Sequence, residues 1–387
     1  MVPMQSNTDS AHTAPDIQEC SQQDAGDSEA ALLSKVAAQR NSPAEQVLRA
    51  ADWRALTGSD ALGTLPEYIS PAFRELIAAQ DGAYADALRR QVTASQEEQH
   101  LDHVERADPL GESRYCVTPY LVHQYQNRVL LLSTGRCLSY CRYCFRREFT
   151  ARSSGFISAK QIDEVVRYLR SHTEVQEILV SGGDPLSGSF DQLAYLLRQL
   201  RSVSPQLVIR LCTRAPVFAP ELFTDALLEL LRSVRPLWVI AHINHPAELG
   251  AAQRQAFTRC IDSGLPVQTQ SVLLKGVNDD AAVLAALFHE LVCMGIKPGY
   301  LFQMDLARGT ASFRVPLERA SIIWKELRSL LSGLSLPQFA VDLPNGGGKF
   351  PLSALMLYED IVSPLKDGAF SARGIDGNVY TYPHRIP

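Results

Sequence analysis

After Arg128 short apolar runs alternate with amphipathic stretches of helical period, a string that few folds accept. Val129–Leu132, Glu177–Val180, Leu207–Cys212, Leu237–Ile243, Pro266–Leu274, Tyr300–Asp305 and Gln338–Asp342 read as strands. Between them Ser158–Ser171, Phe190–Arg201, Pro220–Arg232, Ala247–Asp262, Asp279–Met294 and Leu317–Leu331 read as helices. Strand then helix, repeated with a closing strand, implies βαβ units and a parallel sheet. The expected fold class is therefore α/β, a complete or partial (β/α) barrel. Periodicity alone leaves a flat doubly wound sheet open.

The chain before that string differs in make-up. Residues 1–29 are rich in Ser, Asp, Gln and Thr, with almost no large apolar side chain, and are expected to be a disordered tail. Residues 30–125 read as a helical N-terminal extension. Apolar residues recur at helical spacing from Glu29 to Leu56, Ser42-Pro43-Ala44-Glu45 reads as a helix start, and further helices are expected over Pro71–Ala79 and Ala83–Thr93. A docking surface for a partner is the other reading of the extension. The barrel core is then 126–343, and 344–387 holds a glycine-lysine loop and a C-terminal segment. A net charge of −5 and a pI near 6.0 argue against a nucleic-acid surface. No run of about 18 apolar residues exists to span a membrane, and the polar start lacks the apolar segment of a signal peptide. A cytoplasmic location is expected, where free thiols or metal ligands are commoner than disulfides.

In barrels the C-terminal ends of the strands carry the site, and the polar residues collect there. The loop after the first strand holds Cys137, Cys141 and Cys144 in the spacing C-x-x-x-C-x-x-C. A structural zinc loop would normally take four protein ligands, and no fourth Cys or His lies close by. A cubic iron–sulfur cluster on three thiolates leaves one iron open for a small molecule. Arg136, Arg142 and Arg146 are expected to surround that negative centre, and the basic run including Arg147 to serve anionic ligands. Gly182-Gly183-Asp184 follows the second strand, where two glycines let the backbone approach a ligand. Thr213-Arg214 ends the third strand, His242 and Asn244 the fourth; Gln268 and Gln270 lie on the fifth, Asp305 ends the sixth and Asp342 the seventh.

Beyond Asp342, Gly346-Gly347-Gly348-Lys349 cannot support helix or strand cheaply. The lysine could bind a phosphate or form a Schiff base with pyridoxal 5′-phosphate (PLP). The phosphate-loop pattern is not met, because Phe350 follows Lys349. A flexible linker ending in a lysine is the bland alternative.

The cysteine motif resembles that of the radical S-adenosylmethionine (SAM) enzymes. Together with Ser181-Gly182-Gly183-Asp184-Pro185-Leu186 and the glycine-lysine loop, it stands in the order of the lysine 2,3-aminomutase family. The likeness runs from Asp108-Pro109-Leu110 to Tyr380-Thr381-Tyr382-Pro383 and includes His242-Ile243-Asn244-His245. It implies a partial (β/α) barrel of radical-SAM type and a [4Fe–4S] cluster on Cys137, Cys141 and Cys144. It further implies SAM received at Gly182, Gly183 and Asp184, and PLP on Lys349. The implied activity is L-lysine 2,3-aminomutase, which interconverts L-lysine and β-lysine: a SAM-derived radical removes hydrogen from the β-carbon and the PLP-bound nitrogen migrates. Arg146 matches the arginine for the substrate carboxylate, and Asp305 and Asp342 match the aspartates for the ε-ammonium. Arg128, His242 and Gln270 match positions around the cofactors. Glutamate-specific relatives carry a lysine and an asparagine in place of the two aspartates, so the resemblance favours a substrate with an ammonium to pair. The implied partners are lysine, an electron donor such as flavodoxin or ferredoxin, and further copies of the chain in a homo-oligomer; nucleic acid and membrane are not among them.

The chain departs from the pattern in places. Clostridial members bind zinc with C-terminal cysteines and one farther upstream. Here no cysteine follows Cys293 and Asp280 stands at the upstream position, so that zinc site is expected to be absent. Asn345 replaces the first of four glycines, which Asn tolerates even at positive φ. Asp342 and the long tail place the chain nearer the free-lysine type than the branch that supplies β-lysine for elongation factor P, which is the nearest rival, beside an aminomutase for another amino acid. Outside the enzyme class, the rival is an iron–sulfur electron carrier or scaffold.

Overall fold

The computed structural model describes residues 65–152, 155–353, 361–366, 369–373 and 378–382. The tail expected at 1–29 and the helical period from Glu29 to Leu56 lie outside these residues. Ten strands form one sheet in strict chain order: β1 (Cys116–Thr118), β2 (Leu121–Tyr125), β3 (Arg128–Thr134), β4 (Glu177–Gly182), β5 (Val208–Thr213), β6 (Leu237–His242), β7 (Val267–Leu273), β8 (Lys297–Gln303), β9 (Gln338–Leu343) and β10 (Gly348–Pro351). β3 to β9 run parallel and are the seven strands expected from the sequence.

That order decides between the two α/β architectures. A doubly wound sheet needs a reversal of strand order, and none occurs between β3 and β9. Right-handed crossovers that always add to the same edge put every connecting helix on one face. The other face must then turn inward, and the sheet curls. The curl brings its two ends together. The Tyr115 hydroxyl donates to Gly346 O at 3.0 Å, Gln124 Nε2 donates to the same oxygen at 3.2 Å, and the Lys349 N–H donates to the Tyr125 hydroxyl at 2.9 Å. The sheet order ends at β1 and β10, so the barrel is partial, its gap spanned by side chains from β2 and the turn before β1.

The helices start where their caps dictate. Ser158 and Ser189 each form a capping box, with Gln161 and Gln192, ahead of Ala159–Ser171 and Phe190–Arg201. Their apolar stripes bury Ile162, Val165 and Leu169, and Leu193, Leu196, Leu197 and Leu200, against the sheet. Each such side chain stabilises the fold by roughly 1.5–3 kcal/mol.

Two expectations need correcting. The extension is not helical throughout: Pro71–Ala78 and Gly82–Val92 are helices, but Cys116–Tyr125 pairs onto β3 as β1 and β2. The sheet thus begins at Cys116 rather than at 126, because buried Tyr120, Leu121 and Val122 cover the free edge of β3. The glycine-lysine segment is likewise not a loop throughout. One tight turn, Pro344–Gly346, leads directly into β10, which pairs antiparallel with β9. A separate antiparallel sheet holds Ile361–Lys366, Ala369–Arg373 and Val379–Tyr382. Among the described residues no helix is long and apolar enough to cross a membrane.

Candidate active site

The cysteine loop is gripped from two sides. On one side the turn after β4 binds its backbone: Gly183 N–H donates to Thr134 O at 2.5 Å, and Asp184 N–H and the Ser187 hydroxyl donate to Arg136 O at 2.8 and 3.0 Å. A Cβ at Gly183 would lie 2.1 Å from Arg136 O. This glycine is therefore required by the contact between two protein backbones. The Asp184 carboxylate is spent in the same way. It accepts from Leu186 N–H, the Thr213 hydroxyl and Arg214 N–H, tying the ends of β4 and β5 together, and burial raises its pKa.

On the other side the N-terminal extension holds the loop. Gln91 O accepts Arg142 N–H at 2.8 Å, Tyr68 O accepts Tyr140 N–H at 3.2 Å, and the Ser139 hydroxyl accepts Ser70 N–H at 2.9 Å. Buried Glu98 takes a fork from Arg142, at 2.8 and 2.6 Å, and a third bond from Arg147 at 2.7 Å. Arg142 and Arg147 therefore do not serve anionic ligands, as their positions suggested. They neutralise a carboxylate of the protein itself, because a buried carboxylate needs that many donors. The described part of the extension is engaged with the loop, which weighs against its reading as a free docking surface.

Among the described cysteines none is in a disulfide. Burial pushes the Cys137 and Cys144 thiols up, Cys144 to about 11, and the neighbouring thiols add to both shifts. Cys137 and Cys144, which resist ionising, suit a cationic centre that would bind them as thiolates. Among the described residues no three His, Cys, Asp or Glu side chains are gathered to hold a single metal ion.

Across the mouth of the sheet lies Lys349. It stands directly opposite Asp342 in the β9–β10 register, and its Nζ donates to both Asp342 oxygens at 2.9 and 3.1 Å. The amine lies 4.0 Å from the Phe302 ring centre and 5.3 Å from that of Tyr300; those rings are themselves stacked. Burial lowers the Lys349 pKa, against the pull of Asp342 and Asp305. Asp305, just beyond β8, is pushed up to about 7 by burial first and by Asp342 second, while Lys349 and Arg146 oppose the shift. Arg146 in turn feels Cys144 as well as Glu112. These couplings place Cys144, Arg146, the two aspartates and Lys349 within electrostatic reach of one another in series. Arg146 is held by Glu112, with Nε to Oε2 at 3.0 Å, a partner that no sequence pattern indicated.

Arg128 lies near Lys349, whereas His242 and Gln270 lie on β6 and β7 on the Tyr143 side. Arg128 stacks on Tyr125 at 3.7 Å, the residue that binds the Lys349 backbone, and its charge helps lower the Lys349 pKa. His242 and Gln270 are register neighbours on β6 and β7. His242 Nε2 lies 3.0 Å from the Tyr143 hydroxyl, and burial, then the Arg214 charge, keeps the imidazole neutral.

The radical SAM superfamily model matches residues 131–288, from β3 to the helix after β7. A Treponema pallidum protein whose name proposes an L-lysine 2,3-aminomutase is 58% identical over 332 residues, covering 86% of this chain and 94% of that one. The chain belongs to the L-lysine 2,3-aminomutase family. An Aquifex aeolicus protein named in the same way is 36% identical over 83% of this chain and 85% of its own. The L-lysine 2,3-aminomutase of Acetoanaerobium sticklandii is 38% identical over 75% of this chain and 70% of its own. As a family member the chain is a radical SAM isomerase, with a [4Fe–4S] cluster and SAM as the cofactors its superfamily uses, and the reading as an electron carrier is set aside.

Two departures from the family pattern have a structural account. Asp280, at the place of the upstream zinc cysteine, caps the helix Ala281–Cys293 by accepting Ala282 N–H at 2.7 Å and Val283 N–H at 3.3 Å. Asn345 adopts φ 59° and ψ 31°, the left-handed region that Asn tolerates and β-branched residues do not.

Proposed function

We propose that this aminomutase acts on L-lysine, interconverting it with β-lysine, with Cys137, Cys141 and Cys144 as the cluster ligands and Lys349 as the lysine that holds PLP. The observation that carries the reading is the Lys349–Asp342 pair, with Asp305 beside it and Arg146 in the same field. When bound, SAM and the cluster supply the hydrogen-abstracting radical, and PLP the conjugated carbonyl that carries the migrating nitrogen. The chain's own residues do the rest. Lys349 here occupies the place that a substrate ammonium would take against Asp342. Once its amine is engaged by a cofactor, Asp342 is left with a carboxylate and no cation, and with Asp305 it forms a site for an ammonium. Arg146 offers a planar fork for the substrate carboxylate, released from Glu112 when the substrate arrives. A neutral or acidic side chain would leave two part-buried carboxylates facing each other unpaired.

The stacked Tyr300 and Phe302 rings fit a flat heteroaromatic ring beside Lys349. His242 and Gln270, neighbours on β6 and β7, suit the SAM side of the mouth, with Gly182, Gly183 and Asp184 acting by shaping the loop. Reduction of the cluster calls for an electron donor of the flavodoxin or ferredoxin type, and the undisulfided thiols suit the reducing cytoplasm. Borohydride reduction of the PLP-loaded protein followed by peptide mapping tests the amine assignment. The PLP mass is expected on the peptide carrying Lys349 and to be missing from Lys349→Ala, which keeps its iron. Label on another lysine would overturn the assignment. Iron retained in full by Cys137→Ala, Cys141→Ala and Cys144→Ala variants would overturn the ligand set.

A further inference from the structure

Beneath the cysteine loop lies a buried polar network centred on one guanidinium. Arg214, at the end of β5, donates from Nη1 to Cys141 Sγ at 2.8 Å and to the Tyr143 hydroxyl at 2.5 Å. Its Nη2 donates to Gln91 Oε1 at 2.7 Å and to Glu248 Oε2 at 3.0 Å. The surroundings leave the guanidinium little freedom: Gln91 Nε2 donates to Glu248 Oε1 at 2.9 Å, and Asn244 Nδ2 donates to Tyr143 and Gln91 at 2.7 and 3.1 Å. Gln91, Asn244 and Glu248 are wholly buried, and Arg214 is 6% exposed. Four separate segments, the N-terminal helix, β5 and the turns after β6 and β3, thus converge to hold one cation against one cysteine sulfur.

Keeping a charged guanidinium there is costly unless it serves something, since a buried ion pair is often replaceable by apolar side chains without loss of stability. Hydrogen bonds and positive charge at ligand sulfurs draw electron density from an iron–sulfur cluster and ease its reduction. We propose that Arg214 is a positioning residue that raises the reduction potential of the cluster by hydrogen bonding to the Cys141 sulfur, with Glu248 and Gln91 fixing its aim. The balance is one electron from an external donor into the cluster, with no proton moved by Arg214. The inference rests on Cys141 being a cluster ligand.

The test is the midpoint potential of the anaerobically reconstituted holoenzyme without SAM, followed by the electron paramagnetic resonance signal of the reduced cluster. Arg214→Gln is expected to shift the potential to a more negative value at full iron content, and Arg214→Lys, which keeps the charge, to restore part of the shift. Equal potentials for wild type and Arg214→Gln at full iron content would overturn the proposal. A double variant, Arg214→Gln with Glu248→Gln, guards against an uncompensated buried carboxylate: its potential is expected below that of Glu248→Gln alone, and equality of those two would overturn the proposal. Wild-type protein carrying arginine 15N-labelled only at the guanidinium nitrogens needs no variant to fold and leaves the backbone amides of Arg136 and Arg142, beside the cysteines, unlabelled. A nitrogen coupling to the reduced cluster is expected, and its absence overturns the proposal. Failure of the ligand assignment would show differently, as full iron binding without Cys141.

Discussion

Asp305 carries the pH dependence of the pocket. Its carboxyl is held at about 7 against an ordinary 3.8 by burial and by Asp342. For an acid raised in this way, the stability it lends is complete below its unfolded value and is lost as pH rises through about 7. Binding an ammonium demands the ionised form, so lysine affinity should rise with pH up to about 7, and binding below that pH should release a proton. Calorimetry in buffers of different ionisation enthalpy will show this release in wild type and its loss in Asp305→Asn; equal behaviour would remove Asp305 from the ammonium site. Asp342→Asn should lower kcat/KM for lysine by about 100-fold, the ~3 kcal/mol typical of truncating one partner of a buried charge pair, while leaving iron content unchanged. What the sequence could offer at this scale was residue type and position, which named Asp305, Asp342, Lys349 and the three cysteines as candidates; the fold then sets Lys349 against Asp342 with Asp305 in the same field. The sequence could not tell which cation meets which anion. Glu112 and Glu98 lie far along the chain from the arginines they bind, and only the fold brings them together.

At the scale of elements, the tightest constraints are on the segments around the cysteine loop. Gly183→Ala would drive a methyl group into Arg136 O. It should cost about 3 kcal/mol, read as a lower melting temperature and poorer iron retention. Asn345→Ala, at a left-handed position, should cost about 1 kcal/mol, whereas Asn345→Gly should be nearly neutral; a similar loss in both would mean that the side chain, not the backbone, matters there. Glu98→Gln leaves two buried arginines short of a carboxylate and should destabilise the fold by ~3–5 kcal/mol, measurable by denaturant titration. The seven parallel strands were legible because each is an apolar run closed by polar residues and all but the last are followed by a helix. β1, β2 and β10 were not, because strands of three to five residues are too short to display a period.

The large sheet adds strands in chain order until side chains bridge its two ends, and the N-terminal helices support its cysteine loop. They hold the cysteine loop by backbone and side chain, while the β9–β10 hairpin, hydrogen bonded to Tyr115, Gln124 and Tyr125, presents Lys349 across the mouth. Barrel strands are tilted, so the start of β3, with Arg128, can stand level with the end of β9. Family membership and the paired aspartates converge on one central claim, that this mouth takes lysine. Anaerobic incubation with SAM, PLP and reductant, offered a panel of amino acids in competition, tests it most directly. The expected result is β-lysine as the dominant β-amino product, dependent on each addition and lost in Lys349→Ala. Preferential conversion of glutamate or a neutral amino acid, or β-lysine formed equally well without Lys349, would contradict it.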